Sequence, residues 1–176
     1  SDEYGNIVPC QITHDGFLIF PVDVQAHNSM IYRLTECNAI SFDTISCGKV
    51  YPERLDDLAW ENDKSGYRAY GPGFQKKGNK GFGYDILSKK VSQPVLEQRY
   101  SIQLDSVTQS KIITLKKEGK LHEADSINHS ISYHVDHGNG MDCYNVGSSL
   151  GAGTTALLVD SAIVYPCLLY TSDAAD

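Results

Sequence analysis

The stretch IVPCQITHDGFLIFPVDV, residues 7–24, decides the fold class of this chain. Two apolar runs rich in β-branched and aromatic residues flank the turn signal His14-Asp15-Gly16. An Asp-Gly pair between two such runs is typical of a β-hairpin, because glycine adopts the positive φ angles of a tight turn. Another apolar run follows at residues 30–34 after a polar break. We therefore predict an N-terminal β-module over residues 1–35.

The rest of the chain repeats this pattern of short apolar runs between turn residues. Residues 40–42 and 156–165 contain strand candidates, Gly71-Pro72-Gly73 marks a sharp break, and residues 100–104 alternate apolar with polar side chains. Residues 109–127 are charged with intermittent apolar positions, and an amphipathic helix or a long hairpin fits them equally well. Turn residues at short spacing predict a mainly β fold of the sandwich type.

The two ends of the chain suggest a fragment of a larger domain. Residues 167–176, CLLYTSDAAD, look like a translated sequencing adapter, so we expect a non-native tail there. The alternative is a genuine apolar strand at residues 168–170 with a polar tail. The first residue is not Met and no signal peptide follows it. Residues 36–166 are therefore expected to be the N-terminal part of an incomplete β domain.

Composition narrows the possible partners. The 176 residues are 41% hydrophobic and carry a net charge of −7, without a basic stripe, which argues against nucleic acid as a partner. No apolar run approaches the length of a membrane span. The cysteines form no CxxC pair, and either disulfides or buried thiols would suit them. They are Cys10, Cys37, Cys47, Cys143 and Cys167.

A first cluster of chemically capable residues lies in VYPERLDDLAWENDKSGYRAYG, residues 50–71. Arg54 and Arg68 can each form bidentate hydrogen bonds to a carboxylate. Aromatic side chains offer flat faces for a sugar ring, and carboxylates can accept hydrogen bonds from its hydroxyl groups. The alternative is a solvated loop whose charges pair with one another. The candidate substrate-binding residues are Trp60, Glu61, Asn62, Asp63, Tyr67 and Arg68.

A second cluster lies in YHVDHGNGMD, residues 133–142. Histidine titrates near neutral pH and is the usual proton shuttle in enzymes. A divalent metal could bind His134, Asp136 and His137 through nitrogen and oxygen ligands. In an extended segment, however, His137 points away from the other two, so we expect no metal. The candidates here are Tyr133, His134 and His137 for catalysis, and Asp136 and Asp142 for substrate binding.

Both clusters resemble the signature of a bacterial domain family of unknown function. The matching strings are PERxDDxAWENDKxxxRxYGP, residues 52–72, and YHxDHGxGxDxYxVGxxLG, residues 133–151, and residues 8–24 are similar to the family's opening β-module. The family is associated with loci for polysaccharide breakdown, and with oligosaccharide dehydratases that act on uronate-terminated fragments such as those of ulvan. The resemblance implies a β-sandwich or supersandwich-type carbohydrate-active fold, and export to the periplasm or cell surface. Residues 107–130 depart from the family pattern.

The resemblance implies β-elimination across C4–C5 of a uronate in an oligosaccharide. Arg54, helped by Asn62, would neutralise the carboxylate, because charge-assisted bonds stabilise the developing enolate. Tyr133 and His134 would be the base and acid, and Trp60 with Tyr67 would hold the ring.

Two other functions remain open at this stage. A non-catalytic carbohydrate-binding module would depend on the aromatic residues and leave the titratable ones idle. A glycoside hydrolase would use a pair of carboxylates, such as Asp57 or Glu61 with Asp142.

Overall fold

The computed structural model describes residues 1–36, 38, 40–43, 46–77, 84–146, 154–159 and 167–171. The described strands pair only with antiparallel neighbours, so the mainly β prediction is confirmed. The strands are β1 (Gln11–Ile12), β2 (Leu18–Ile19), β3 (Cys47–Tyr51), β4 (Asp57–Glu61), β5 (Ser65–Ala69), β6 (Tyr84–Lys89), β7 (Gly140–Val146), β8 (Thr154–Val159) and β9 (Cys167–Thr171). The helices are α1 (Pro72–Lys76), α2 (Leu96–Gln103), α3 (Ser106–Lys117) and α4 (Leu121–Ser130), and a 3₁₀ turn spans Pro52–Arg54.

The N-terminal hairpin predicted from the Asp-Gly signal is present, but it is short. Strands β1 and β2 pair over two residues each, and the Thr13 amide donates to the Phe17 carbonyl at 2.8 Å across the turn. Gly16 takes a φ of 86°, which explains why glycine occupies this position. Residues 30–34 and 40–42 are not strands, so these strand predictions are wrong.

Strands β3 to β7 form the main sheet, with every strand beside its neighbour in sequence. The register of the paired strands defines the two faces of this sheet, because side chains alternate between the faces along each strand. On the first, called the outer face, Trp60 pairs with Tyr67 and Tyr67 with Ile86. On the second, called the inner face, Arg68 pairs with Asp85, and Asp142 is paired with Leu87.

Helix α2 and the loop of residues 131–139, called the α4–β7 loop, cover the inner face. Apolar packing there joins Leu87 of the sheet to Leu96 and Tyr100 of α2 and to Tyr133 of the loop. The rings of Tyr51 and Tyr100 stack with centroids 3.6 Å apart. Each such fully buried side chain stabilises the fold by ~1.5–3 kcal/mol, so this cluster fixes α2 and the loop against the sheet.

The charged stretch at residues 109–127 is helical, so the hairpin alternative for it is wrong. Asp105 caps α3 by accepting a hydrogen bond from the Thr108 amide at 2.8 Å. Helices α3 and α4 pack through a small apolar cluster of Ile112, Leu115 and Ala124. Residues 100–103, where apolar and polar side chains alternate, belong to α2. Leu96 and Tyr100 are four residues apart, so they share the face of α2 that packs on the sheet.

The last described strands form a separate two-stranded sheet. Strand β8 includes the strand candidate at residues 156–159 and pairs with β9, while residues 160–166 lie outside the described part of the chain. The suggested strand at residues 168–170 lies within β9, and the non-native origin of this segment stays a prediction. Among the described helices, none is long and apolar enough to cross a membrane.

Candidate functional site

The inner face of the main sheet carries buried charged side chains where an apolar face is usual. Asp57, Arg68 and Asp85 are fully buried, and Glu61 and Asp142 nearly so. Charged groups are seldom buried unless they are paired or serve a site. The candidate site is therefore expected among these residues and the groups that cover them.

Arg68 and Asp85 form the central ion pair of this face. The Arg68 Nε donates to Asp85 Oδ2 at 2.7 Å, and its Nη2 contacts the same oxygen. The Tyr70 hydroxyl also donates to this oxygen, at 2.9 Å. Burial is the largest influence and disfavours the Arg68 charge, but the Asp85 carboxylate and the neighbouring tyrosine hydroxyl groups together outweigh it, so the pKa of Arg68 lies above its usual value. The guanidinium is therefore a fixed positive charge in the interior.

His134 lies between Arg68 and Asp142. Its Nδ1 is 2.5 Å from Asp142 Oδ2, and its Nε2 is 3.2 Å from Arg68 Nη2. A guanidinium has no acceptor, so Nε2 accepts this hydrogen bond and carries no proton. Nδ1 then carries the proton and donates to Asp142. This geometry assigns a neutral imidazole that a carboxylate orients and whose Nε2 lone pair accepts the hydrogen bond from Arg68.

Arg99 of α2 positions the α4–β7 loop that carries His134. Its Nη1 donates to the Tyr133 carbonyl at 2.5 Å and to the Val135 carbonyl at 3.2 Å. Its Nη2 donates to Asn139 Oδ1 at 2.7 Å and to the Gly140 carbonyl. The side chain is fully buried, and burial lowers its pKa. One guanidinium thus fixes both ends of the loop.

Tyr133 lies under the Arg68 guanidinium. The Arg68 Cζ is 4.0 Å from the Tyr133 ring centroid, a cation–π contact, and the ring meets His134 edge-on at 5.9 Å. Tyr133 is fully buried, and burial raises the pKa of its hydroxyl. The phenol therefore stays protonated at neutral pH and can act as a proton donor.

Several buried polar atoms around Arg68 have no hydrogen-bond partner among the described residues. Buried polar atoms are nearly always hydrogen-bonded, so such atoms call for a ligand or ordered water. The His134 side chain, 16% exposed, is where this group approaches solvent. The atoms are Arg68 Nη1, Tyr133 OH, Asp142 Oδ1 and Asp57 Oδ1.

The structure brings four of the sequence-predicted site residues together: Arg68, Tyr133, His134 and Asp142. It separates Trp60 and Tyr67 from them. These two rings stack on the outer face, with centroids 5.4 Å apart, across the sheet from the ion pair. Of the substrate-binding candidates in the first cluster, Arg68 therefore joins the second cluster, while the two stacked rings lie on the opposite face of the sheet.

The other members of the first cluster make local structural contacts. Glu61 binds Lys89 Nζ at 2.6 Å and accepts hydrogen bonds from the Val95 and Leu96 amides at the start of α2. Asn62 closes the β4–β5 turn by accepting from the Lys64 and Ser65 amides, both at 2.8 Å. Asp63 forms an exposed ion pair with Lys64.

Arg54 is half-buried, with its guanidinium 5.5 Å from the Phe74 ring centroid. It is close enough to Asp57 to lower the pKa of that carboxyl, although burial dominates and raises the pKa of Asp57 to about 6. Among the described contacts, Arg68 and not Arg54 lies beside His134 and Tyr133, where the sequence analysis expected Arg54 to act.

The metal-ligand set considered from the sequence is not assembled. Asp136 binds Lys90, and this hydrogen bond lowers the pKa of Asp136 to about 2. His137 bonds the Ser132 carbonyl through Nε2 at 2.8 Å. A different group does converge: Asp85, His134 and Asp142 each place one candidate ligand atom within 4.8 Å of the others.

Sequence reasoning missed Asp85 and Arg99. In the strand YDILSK, residues Asp85, Leu87 and Lys89 share one face. The available signal was the acidic Asp85 on the same face as the apolar Leu87. Arg99 gave no signal, because its partners are three main-chain carbonyls and the Asn139 side chain, all 34 or more residues further along the chain.

The chain belongs to the family described as "Domain of unknown function (DUF4861)", whose sequence profile matches residues 1–174. It is similar to "Uncharacterized protein P7" of Formosa agariphila, with 30% identity over 155 residues. This match covers 82% of the present chain and 33% of the relative, so the chain spans about a third of that protein's length. No solved structure matches this chain.

Proposed function

We propose that this protein is a carbohydrate-active enzyme that carries out β-elimination on a uronate unit of an oligosaccharide, as a dehydratase or a lyase. The observation that carries the proposal is the placement of His134 between Asp142 and Arg68. This places a basic imidazole nitrogen beside a buried cation, the pair of groups that proton abstraction next to a carboxylate requires. A role in polysaccharide breakdown, with export to the periplasm or cell surface, is part of the proposal and rests on the resemblance to the family.

The cation in this proposal is Arg68. Its Nη1 is buried and unpartnered among the described residues, while its other nitrogens bind Asp85, Tyr70 and His134. A substrate carboxylate that accepts from Nη1 would have its charge neutralised, which makes the C5 proton more acidic. Arg68 thereby takes the role that the sequence analysis gave to Arg54.

His134 and Tyr133 carry out the remaining proton transfers. When the substrate carboxylate binds Arg68, the Nη2 hydrogen bond to His134 Nε2 is released, which frees the Nε2 lone pair. His134 Nε2 then takes the C5 proton, the electron pair of the C5–H bond forms the C4–C5 double bond, and the C4–O bond breaks. The Tyr133 hydroxyl gives its proton to the departing oxygen, which leaves as water or as a sugar hydroxyl. Asp142 stabilises the imidazolium through the Nδ1 hydrogen bond. Each proton-transfer role is worth ~10²–10⁴-fold in rate.

The test is turnover of uronate-terminated oligosaccharides, followed by ultraviolet absorbance of the new conjugated double bond and by mass spectrometry. We expect loss of water for a dehydratase and chain cleavage for a lyase. His134→Ala should lower the rate by ~10²-fold or more, because the base is gone. His122→Ala is the matched control, since His122 is exposed on α4 and should leave the rate unchanged. Wild-type turnover by a folded His134→Ala protein would contradict the proposal.

A carbohydrate-binding module is the second candidate, and the outer face favours it. Trp60 and Tyr67 stack there, with Tyr84 edge-on to Trp60 at 5.8 Å, and all three are only partly buried. Under this function Trp60→Ala abolishes sugar binding and His134→Ala has no effect on it. The hydrolase alternative has less support, because Glu61 is engaged by Lys89 and by the start of α2.

A further inference from the structure

Three side chains of the candidate site lie as ligands of a divalent cation would. The candidate ligand atoms of Asp85, His134 and Asp142 are within 4.8 Å of one another. One imidazole nitrogen with two carboxylate groups is a donor set that several first-row divalent metals accept. The Asp142 side chain is fully buried, and its Oδ1 has no partner among the described residues.

The guanidinium of Arg68 lies among these groups. Its Nη2 contacts Asp85 Oδ2 and is 3.2 Å from His134 Nε2, so one nitrogen bridges two of the three candidate ligands. Its Nε holds the same Asp85 oxygen at 2.7 Å. Two of the three candidate ligand residues, Asp85 and His134, are therefore already bound to a positive charge.

Because Asp85 is buried, its ionised carboxylate depends on the positive charge of Arg68. Arg68 and Asp85 are both fully buried, and a carboxylate left alone in such an environment is strongly destabilising. An ionised Asp85 is therefore stable in this position only with a cation beside it. The protein supplies it covalently, from strand β5.

We propose that Arg68 is the resident cation of this site, and that its guanidinium occupies the position that a divalent metal would otherwise take. The assignment deepens the proposed function, because it makes the fixed guanidinium, in place of a metal, the group that neutralises the substrate carboxylate. In the wild-type protein the site is closed to divalent ions. Removing the guanidinium without replacing its charge opens the site to a metal.

The experiment compares the wild-type protein with Arg68→Met, which keeps an apolar stem and loses the charge. Both are titrated with Co²⁺, followed by calorimetry and by the visible absorption of protein-bound cobalt. We expect no site-specific binding to the wild type. Arg68→Met should bind one equivalent at least ~10-fold more tightly, and its lowered melting temperature should rise as Co²⁺ is added.

Matched variants identify the ligands. Adding His134→Gln to Arg68→Met removes the nitrogen ligand and should weaken Co²⁺ binding by ~10–100-fold, whereas adding His122→Ala should not. Arg68→Lys retains a positive charge and should stay closed to the metal. If Arg68→Met does not fold unaided, refolding with and without Co²⁺ gives the answer, and only the sample with metal should recover native structure.

Two results would overturn the assignment. One is wild-type binding of Co²⁺ as tight as that of Arg68→Met and lost with His134→Gln. The other is a failure of Arg68→Met to gain Co²⁺ binding in the folded state, or to refold better with the ion. Neither readout depends on turnover, so an absence of β-elimination would remove the proposed function and leave this assignment standing.

Discussion

Asp57 illustrates the consequence of placing a carboxyl group on a buried sheet face. It is fully buried, it accepts hydrogen bonds from the Tyr100 hydroxyl at 3.4 Å and from the Gly71 backbone, and its Oδ1 has no side-chain partner among the described residues. Burial raises its pKa to about 6, against the attraction of Arg68 and Arg54. The residue is therefore a source of pH-dependent stability.

The sign of this dependence follows from the direction of the shift. A carboxyl group whose pKa is higher in the folded state binds protons more tightly there, so folding is favoured at low pH. This contribution is fully present below about pH 4 and is lost as the pH rises through about 6. A shift of this size corresponds to ~3 kcal/mol.

We predict that Asp57→Asn raises the free energy of unfolding at pH 7–8 relative to the wild type, by up to ~3 kcal/mol, because an amide does not ionise. The difference between the two proteins should shrink as the pH falls from 6 to 4. Urea denaturation at a series of pH values measures it. An equal effect of the substitution at pH 4.5 and pH 7.5 would show that Asp57 is not a buried titrating group.

At the scale of elements, the α4–β7 loop depends on helix α2. Arg99 donates to the carbonyls of Tyr133, Val135 and Gly140 and to the side chain of Asn139, so it contacts both ends of the loop. Within the loop the links are local, such as the Gly138 amide to Asp136 at 2.8 Å. The position of His134 is thus set from outside its own segment.

We predict that Arg99→Met loosens the α4–β7 loop while leaving the main sheet intact. Residues 131–139 should then exchange amide hydrogens at least ~10-fold faster, because several buried carbonyls lose their donor. Hydrogen-exchange mass spectrometry measures this, with peptides of β5 and β6 as the internal reference. Gln98→Met on the same helix is the control, since Gln98 makes a single contact to Asn139 at 3.1 Å. Unchanged exchange of the loop would show that its own contacts suffice.

The sequence predicted elements that are held by contacts between nearby residues. It did not predict which distant residues would pair. The Asp-Gly turn at residues 15–16 located β1 and β2 because all its contacts lie within a few residues. Residues 50–71 have sparse and non-periodic apolar residues, so a solvated loop was one alternative for them. They belong for the most part to β3, β4 and β5, and strand alternation separates Trp60 from Arg68. Arg68 and His134 are 66 residues apart, and only the order of the strands brings them together.

At the scale of the whole molecule, exposed apolar side chains are distributed unevenly along the chain. Large apolar side chains that remain exposed among the described residues are concentrated before residue 41, and include Tyr4, Ile7, Phe17 and Leu34. The backbone there is held by the short β1–β2 ladder and by a few other bonds, such as Arg33 to Ser1 at 2.7 Å. The sheet β3–β7 and α2, by contrast, enclose the main apolar cluster.

We predict that residues 1–36 open independently of the main sheet. Their amides should exchange within seconds to minutes at neutral pH, while those of β5 and β6 are protected up to the global unfolding free energy, because few buried contacts restrain the N-terminal segment. Limited proteolysis should cut first in this segment and leave a core that retains α2 and the sheet. Co-protection of the two regions would show that they unfold as one unit.

The position of Trp60 has a consequence for optical experiments. It is the only tryptophan of the chain, and it lies on the outer face, stacked on Tyr67 and edge-on to Tyr84. The sheet separates it from Arg68 and His134. Its emission therefore reports the packing of the outer face, and a ligand that enters beside Arg68 leaves the fluorescence spectrum almost unchanged. A fluorescence titration with a sugar thus distinguishes the two faces: quenching indicates binding at the outer aromatic residues, and turnover without quenching indicates chemistry on the inner face.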